Sequence, residues 1–264
     1  MAQDILLRED RGAVATLTLN NPAALNALSE DMLAALEDQF QALATDARIR
    51  AVILKGAGKA FCAGHDLKEM TRGRASDDGG RAYFSELFNT CSRMMMRIRD
   101  LPQPVIAQVH GIATAAGCQL VATCDMAIAA NSARFGVNGV NIGLFCSTPM
   151  VALSRNVTPK LAMEMLTTGQ FLSAEQAAVA GLINRAVADN ELSEQTTQLA
   201  ETVASKLGVA VRIGKQAFYK QREMTLEDAY AYTADVMATN MLYRETEKGI
   251  AAFIDKRTPE WDQD

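Results

Sequence analysis

Apolar positions along the chain follow two periods, and the change from one to the other marks its elements. Val14, Thr16 and Thr18 alternate with Ala15, Leu17 and Leu19, the pattern of a half-buried strand. With a similar run at residues 5–9 and a turn at Asp10, Arg11 and Gly12, this predicts a β-hairpin that Asn20, Asn21 and Pro22 bring to a stop. Met32, Leu33, Leu36, Phe40 and Leu43 then recur at helical spacing behind Ser29, a good N-cap, so a helix is expected to about Thr45. Short apolar runs at 51–55 and 105–109 read as buried strands. Between them lie a polar, glycine-rich loop at 71–80 and a long helix at 81–99 that Pro102 and Pro104 terminate. Further short strands are expected at 126–130 and around Phe135, and helices at 150–156, 159–168 and 174–180. From Leu192 the period is helical almost throughout, at 192–207, 209–219, 226–242 and 245–253. An α/β core over residues 1–191 followed by a helical region over 192–264 is the expected plan.

Two stretches interrupt this pattern in the same way. Residues 60–67 read A-F-C-A-G-H-D-L and residues 110–125 read H-G-I-A-T-A-A-G-C-Q-L-V-A-T-C-D. Each follows a predicted buried strand and turns through small residues where backbone can approach backbone. In the second, Ala113, Ala115, Ala116 and Gly117 run into an apolar helical segment, so free NH groups and the positive end of a helix dipole face the gap. A pair of NH groups aimed at one oxygen would let a thioester carbonyl there gain enolate character. Small residues equally permit close packing of helix on strand, and for either stretch alone both readings stand.

Together these stretches resemble the paired oxyanion-hole signatures of the enoyl-CoA hydratase/isomerase, or crotonase, superfamily. The resemblance takes in residues 21–28 (N-P-A-A-L-N-A-L), 135–144 (F-G-V-N-G-V-N-I-G-L), the helix pattern at 161–181 and the tail at 247–261, which is nearly the whole chain. It implies a crotonase (ClpP-like) spiral of strand, strand, helix units with a C-terminal helical trimerisation region, and a homotrimer or dimer of trimers. It also implies an acyl-CoA substrate, with coenzyme A entering as part of the substrate and no permanently bound cofactor. Position by position, it makes the backbone NH groups of His65 and Ala116 the oxyanion donors. Ala24, Leu25, Ala63, Asp66 and Leu67 fall around the adenine and pantetheine, and Phe253 and Lys256 in a tail that can reach CoA phosphate.

The same resemblance exposes a departure. Hydratases of the family resemble one another in carrying two glutamates that manage the water and its proton. Those positions are Gln119 and Gly139 here. A glutamine exchanges no proton near neutral pH and a glycine has no side chain. Candidate replacements are Gln119 itself, holding a water or a carbonyl; Cys146 and Ser147, where other branches resemble one another in placing an acid; and Glu86 on the helix before the second strand. Each has an ordinary alternative: a buried amide bonded to backbone, an inert thiol, a solvated carboxylate. Dihydroxynaphthoyl-CoA synthases resemble this chain in a glycine at position 139, but their acidic residue near the oxyanion site is Cys146 here. His65 is expected as a bystander rather than a base, and Asp66 has the chemistry to cap a short helix at 67–70.

Composition narrows the partners. At 264 residues and 28.5 kDa the chain can bury a large core, with 49% apolar and 22% charged residues. A net charge of −5 argues against nucleic acid, and no apolar run approaches the ~20 residues needed to cross a bilayer, so no membrane partner is expected. Cys62, Cys91, Cys118, Cys124 and Cys146 form no C-x-x-C pair, and residues 1–10 carry no basic or apolar leader; reduced thiols in the cytoplasm are expected.

Overall fold

The computed structural model describes residues 4–262. Its strands are β1 (Leu6–Arg11), β2 (Val14–Leu19), β3 (Ala51–Gly56), β4 (Val105–Val109), β5 (Ile112–Thr114), β6 (Met126–Ala130), β7 (Arg134–Gly136), β8 (Leu172–Ser173) and β9 (Arg185–Val187). Its helices are α1 (Glu30–Ala44), α2 (Leu67–Gly73), α3 (Arg81–Asp100), α4 (Ala116–Thr123), α5 (Ser147–Leu153), α6 (Pro159–Thr168), α7 (Ala174–Val179), α8 (Leu192–Ala204), α9 (Gly208–Gln221), α10 (Leu226–Met241) and α11 (Arg244–Ile254). Two 3₁₀ turns, Pro22–Ala24 and Asn138–Ile142, lie at the site described below.

Six strands form one sheet in the order β1-β2-β3-β4-β6-β9, antiparallel only at the β1–β2 hairpin. β3 and β4 are buried on both faces, as parallel strands covered by helices must be, which is why their sequences are continuous apolar runs. One face packs Leu17, Leu19, Val52 and Leu54 against α1, α3 and α4; the other packs Val14, Ala51, Ile53 and Ile106 against Ala200 and Ala204 of α8. A second sheet, β5-β7-β8, stands beside the first.

Several boundaries differ from expectation. Asp10 and Arg11 belong to β1, because Arg11 pairs with Val14 and the turn is only Gly12 and Ala13, with Gly12 at φ +57°. α2 runs through Gly73, so the polar loop begins later than residue 71. α5 starts at Ser147 rather than 150, since Pro149 occupies its first turn, where a missing NH costs nothing. β5, β8 and β9, each of two or three residues, were not expected.

α9 is fastened to the sheet by a buried polar cluster. Lys215 Nζ donates to Asp125 Oδ2 at 2.7 Å and to the carbonyls of Ile98 and Gln103 at 2.8 and 2.9 Å. Asp125 also accepts from Tyr219 Oη at 2.8 Å and from the Val105 amide at 2.7 Å. Both charges are thus satisfied on every side, the condition under which a buried ion pair is tolerated.

Candidate active site

Two backbone corners meet at the carboxyl ends of β3 and β4. In the first, residues 21–28 are laced to 57–64 by Asn26, which is fully buried. Its Nδ2 donates to the carbonyls of Ala57 and Ala60, both at 2.8 Å, and its Oδ1 accepts from the Asn21 amide at 3.0 Å. Leu25 and Asn26 both take positive φ, +52° and +54°, and the Ala63 and Leu28 amides close the lacing on Leu25 O and Gly64 O. The sequence reading missed Asn26 as the organiser of this corner; the asparagine of N-P-A-A-L-N-A-L was the available signal.

In the second corner, the Cys62 amide donates to Ile112 O and the Thr114 amide to Cys62 O, at 3.1 and 3.0 Å, so the two stretches lie side by side. Glycine is needed where they touch. A Cβ on Gly117 would stand 2.1 Å from the Cys62 carbonyl oxygen, and one on Gly64 would stand 3.0 Å from Ala115 Cβ and 3.2 Å from the Ala116 nitrogen. Ala115 holds φ +49° and ψ −119°, a strained conformation for a residue with a Cβ, and its NH is spent on Gly136 O at 2.9 Å. This twist brings Ala116 to the first position of α4, where an amide has no intrahelical acceptor. Among the described residues, neither the Ala116 NH nor the His65 NH has a protein acceptor.

The His65 ring packs edge-on against Phe88 at 5.5 Å; Nδ1 lies 3.4 Å from Leu28 O, and Nε2 is buried without a partner. Burial pushes its pKa down, outweighing the Leu28 contact. The ring is therefore neutral near pH 7, as a bystander's would be.

One turn along α4 from Ala116, Gln119 is 5% exposed and its Oε1 meets no partner. It borders a cavity of about 600 Å³ enclosed by α3, α4, α5 and α9, with Met95, Met96, Val151 and Phe218 among its apolar walls. Cys146 is buried at the N-cap of α5. Burial raises its thiol pKa, opposed by the Gly139 amide. Cys62, Cys91 and Cys118 are pushed up to about 12 for the same reason, so no thiolate forms near neutral pH. Ser147 is exposed, and its hydroxyl reaches only Phe145 O at 3.4 Å.

At Gly139 the space where a side chain would start is filled. A Cβ there would fall 2.4 Å from Leu144 O and 2.8 Å from Cys146 Sγ. The 3₁₀ turn at 138–142 folds residue 144 back, its amide bonding Gly139 O at 3.0 Å.

Other candidates part from the site. Asp66 caps α2, accepting from the Lys68 and Glu69 amides at 2.7 and 3.2 Å. Ala24, Leu25 and Ala63 are partly buried, the Ala63 amide bonding Leu25 O, and Leu67 is half-exposed at the start of α2. Glu86 faces solvent and pairs with Arg93 at 2.8 Å, which lowers its pKa; it does not turn toward the oxyanion corner. Phe253 is 84% exposed at the end of α11 and Lys256, at φ +57°, follows it in solvent; no contact of the described residues joins either to His65 or Ala116.

The family model for enoyl-CoA hydratase/isomerase matches residues 9–264. The human Enoyl-CoA hydratase domain-containing protein 3, mitochondrial, is 45% identical over 248 residues, covering 94% of this chain and 80% of that protein. The 2,3-dehydroadipyl-CoA hydratase of Escherichia coli is 32% identical, covering 99% of both. The crystal structure of an enoyl-CoA hydratase from Mycobacterium smegmatis shares the fold at a TM-score of 0.94 and 53% identity, covering 98% of this chain and 99% of that one. That of the human domain-containing protein 3 does so at 0.93 and 43%, covering 97% and 100%. The expected cytoplasmic location is overturned, because five vertebrate relatives at 41–45% identity are named mitochondrial. Free thiols alone did not distinguish the two compartments, since both keep cysteines reduced. With its two facing corners, its mixed α/β spiral and its helical C-terminal region, the chain belongs to the enoyl-CoA hydratase/isomerase (crotonase) superfamily.

Proposed function

We propose that this protein binds acyl-CoA thioesters with the thioester oxygen between the His65 and Ala116 amides, stabilises an enolate there, and hydrates enoyl-CoA slowly or not at all. The observation that carries this reading is the pair of unspent amides, held on strained and glycine-packed backbone. Donors fixed before the reaction need no reorganisation when charge develops, and each contributes ~2.7 to 4 kcal/mol in comparable sites. Gln119, which lines the cavity and carries an unpartnered acceptor, holds a water or a substrate polar group rather than moving a proton. Coenzyme A enters and leaves with the substrate. Loss of carbon dioxide suits such a site: the bond to the carboxylate breaks, its electron pair becomes the enolate, and water returns the proton, with no base required of the protein. The exposed Leu226, Tyr230, Met237 and Met241 along α10 support a subunit-facing role for the helical region, in a trimer or pair of trimers.

Incubation with crotonyl-CoA, a 3-enoyl-CoA and malonyl-type CoA esters, each followed by mass change, tests this. Turnover of a malonyl-type or 3-enoyl ester with little hydration of crotonyl-CoA is expected; rapid hydration would overturn it. A second reading, an acyl-CoA-binding subunit without turnover, is favoured by the filled space at Gly139. Under it, acyl-CoA raises the melting temperature and nothing is converted. Glutamates introduced as Gln119→Glu with Gly139→Glu are expected to restore no crotonase activity, because the second leaves the backbone only by displacing Leu144 O and Cys146 Sγ and so shifts the segment that would have to position it.

A further inference from the structure

The cavity beside Gln119 is apolar along its walls and cationic at its far end. It runs beside α4 from Gln119 to the helix end at Thr123, about 6 Å of helix, and on past Cys124 to Asp125. At that end stand Arg99, Arg155 and Arg222. Arg99 is committed, pairing with Glu223 at 2.7 Å and lying over the Tyr219 ring at 5.1 Å, and Asp125 is consumed by Lys215. Arg155 and Arg222 are not. Arg155 Nη1 donates to Val151 O at 2.9 Å, and Arg222 Nη2 donates to Arg155 O at 3.1 Å while its guanidinium lies over Phe218 at 5.5 Å. These contacts set the Arg222 guanidinium on the main chain of Arg155 and the Arg155 guanidinium one turn back at Val151, and among the described residues neither has a carboxylate partner. Each guanidinium offers five N–H donors and uses one.

We propose that Arg155 and Arg222 form a distal anion subsite, so that the acyl-CoA accepted here carries a carboxylate at the end of its acyl chain. The subsite rests on the reading that the thioester sits at His65 and Ala116. The Gln119 Oε1, buried without a partner on a residue that lines the same cavity, is an independent sign that this space is shaped for a ligand. Apolar walls hold the methylene chain and the paired forks receive the terminal carboxylate, a geometry in which Arg forms two parallel hydrogen bonds. The same end would reject a plain fatty acyl group mainly by leaving its cations without the anion.

Calorimetric titration of the full chain with suberyl-CoA, octanoyl-CoA and free CoA separates the possibilities; the saturated acyl chains carry no double bond to hydrate. Suberyl-CoA is expected to bind at least tenfold more tightly than octanoyl-CoA. In the Arg155→Gln/Arg222→Gln variant that preference should fall below threefold, with octanoyl-CoA and free CoA changed less than twofold. Both side chains are exposed, so the variant keeps its core, which circular dichroism checks. Equal affinity of the wild type for the two esters, or a preference surviving in the variant, overturns the subsite and leaves the thioester reading intact. Equal weakening of free CoA by the variant assigns the arginines to the CoA phosphates and also overturns it. Binding of none of the three overturns both readings together.

Discussion

The corner at 60–65 and 112–117 and the segment at 138–147 adjoin, with the Ala115 amide on Gly136 O and the Thr114 hydroxyl on Asn138 Oδ1, and are built by opposite means. The corner works through backbone: its two amides are set by Gly64, Ala115 and Gly117 and by strand pairing on either side. The segment would have to work through side chains, and it offers a glycine crowded by Leu144 O, a buried thiol and an exposed serine. On the proposed reading, activating a carbonyl and transferring protons are therefore separable in this fold. The first survives any change of side chain that spares the turns; the second disappears with one residue.

The contrast predicts unequal tolerance at the two glycines that crowd backbone. Gly117→Ala drives a methyl into the Cys62 carbonyl, and both partners are pinned, so a loss of about 3 kcal/mol in urea denaturation is expected. A loss under 1 kcal/mol would show the corner to be pliable.

Next in size is the binding test of the corner itself. Ala116→Pro deletes one donor at a helix position that accommodates proline, and affinity for acetoacetyl-CoA, which enolises readily, should fall by about 2 kcal/mol or more. His65→Ala keeps its amide and should cost far less, with circular dichroism confirming both folds. The reverse order would make the imidazole the working group.

A smaller change is expected from Gly139→Ala, at about 1 kcal/mol, because Leu144 lies on an exposed segment that can yield. If it instead matches Gly117→Ala, the two regions are equally rigid and the contrast fails.

The mildest effect concerns pH. His65 has its folded pKa lowered by burial from an ordinary value of 6.5, so the unfolded chain binds the proton more readily. Stability present above about pH 6.5 is then lost as pH falls toward the folded pKa. Melting temperatures measured from pH 7.5 to 5.5 should decline in the wild type and decline less in His65→Gln; parallel curves would place the proton uptake elsewhere.

Much of this contrast is legible in the sequence. The helical spacing of Met32 to Leu43 and the apolar runs of β3 and β4 located the layers, since a core needs those periods. The small residues around Gly64 and Ala116 announced the corner. What stayed hidden depended on chain path. β5 and β9 are three residues each, too short for a period to register. A missing side chain was legible at Gly139, but its filling by Leu144 O follows from a 3₁₀ turn that no local pattern specified. The cavity draws on α3, α4, α5 and α9, spread over more than a hundred residues, and only folding brings its arginines together.

The bond between Lys215 and Asp125 also bears on how a ligand comes and goes. α9 forms one wall of the cavity, and swinging it outward would strand an ammonium and a carboxylate without partners, a penalty of about 3 to 5 kcal/mol for such breakage. Breathing of that wall is correspondingly rare, by a factor of about a hundred or more.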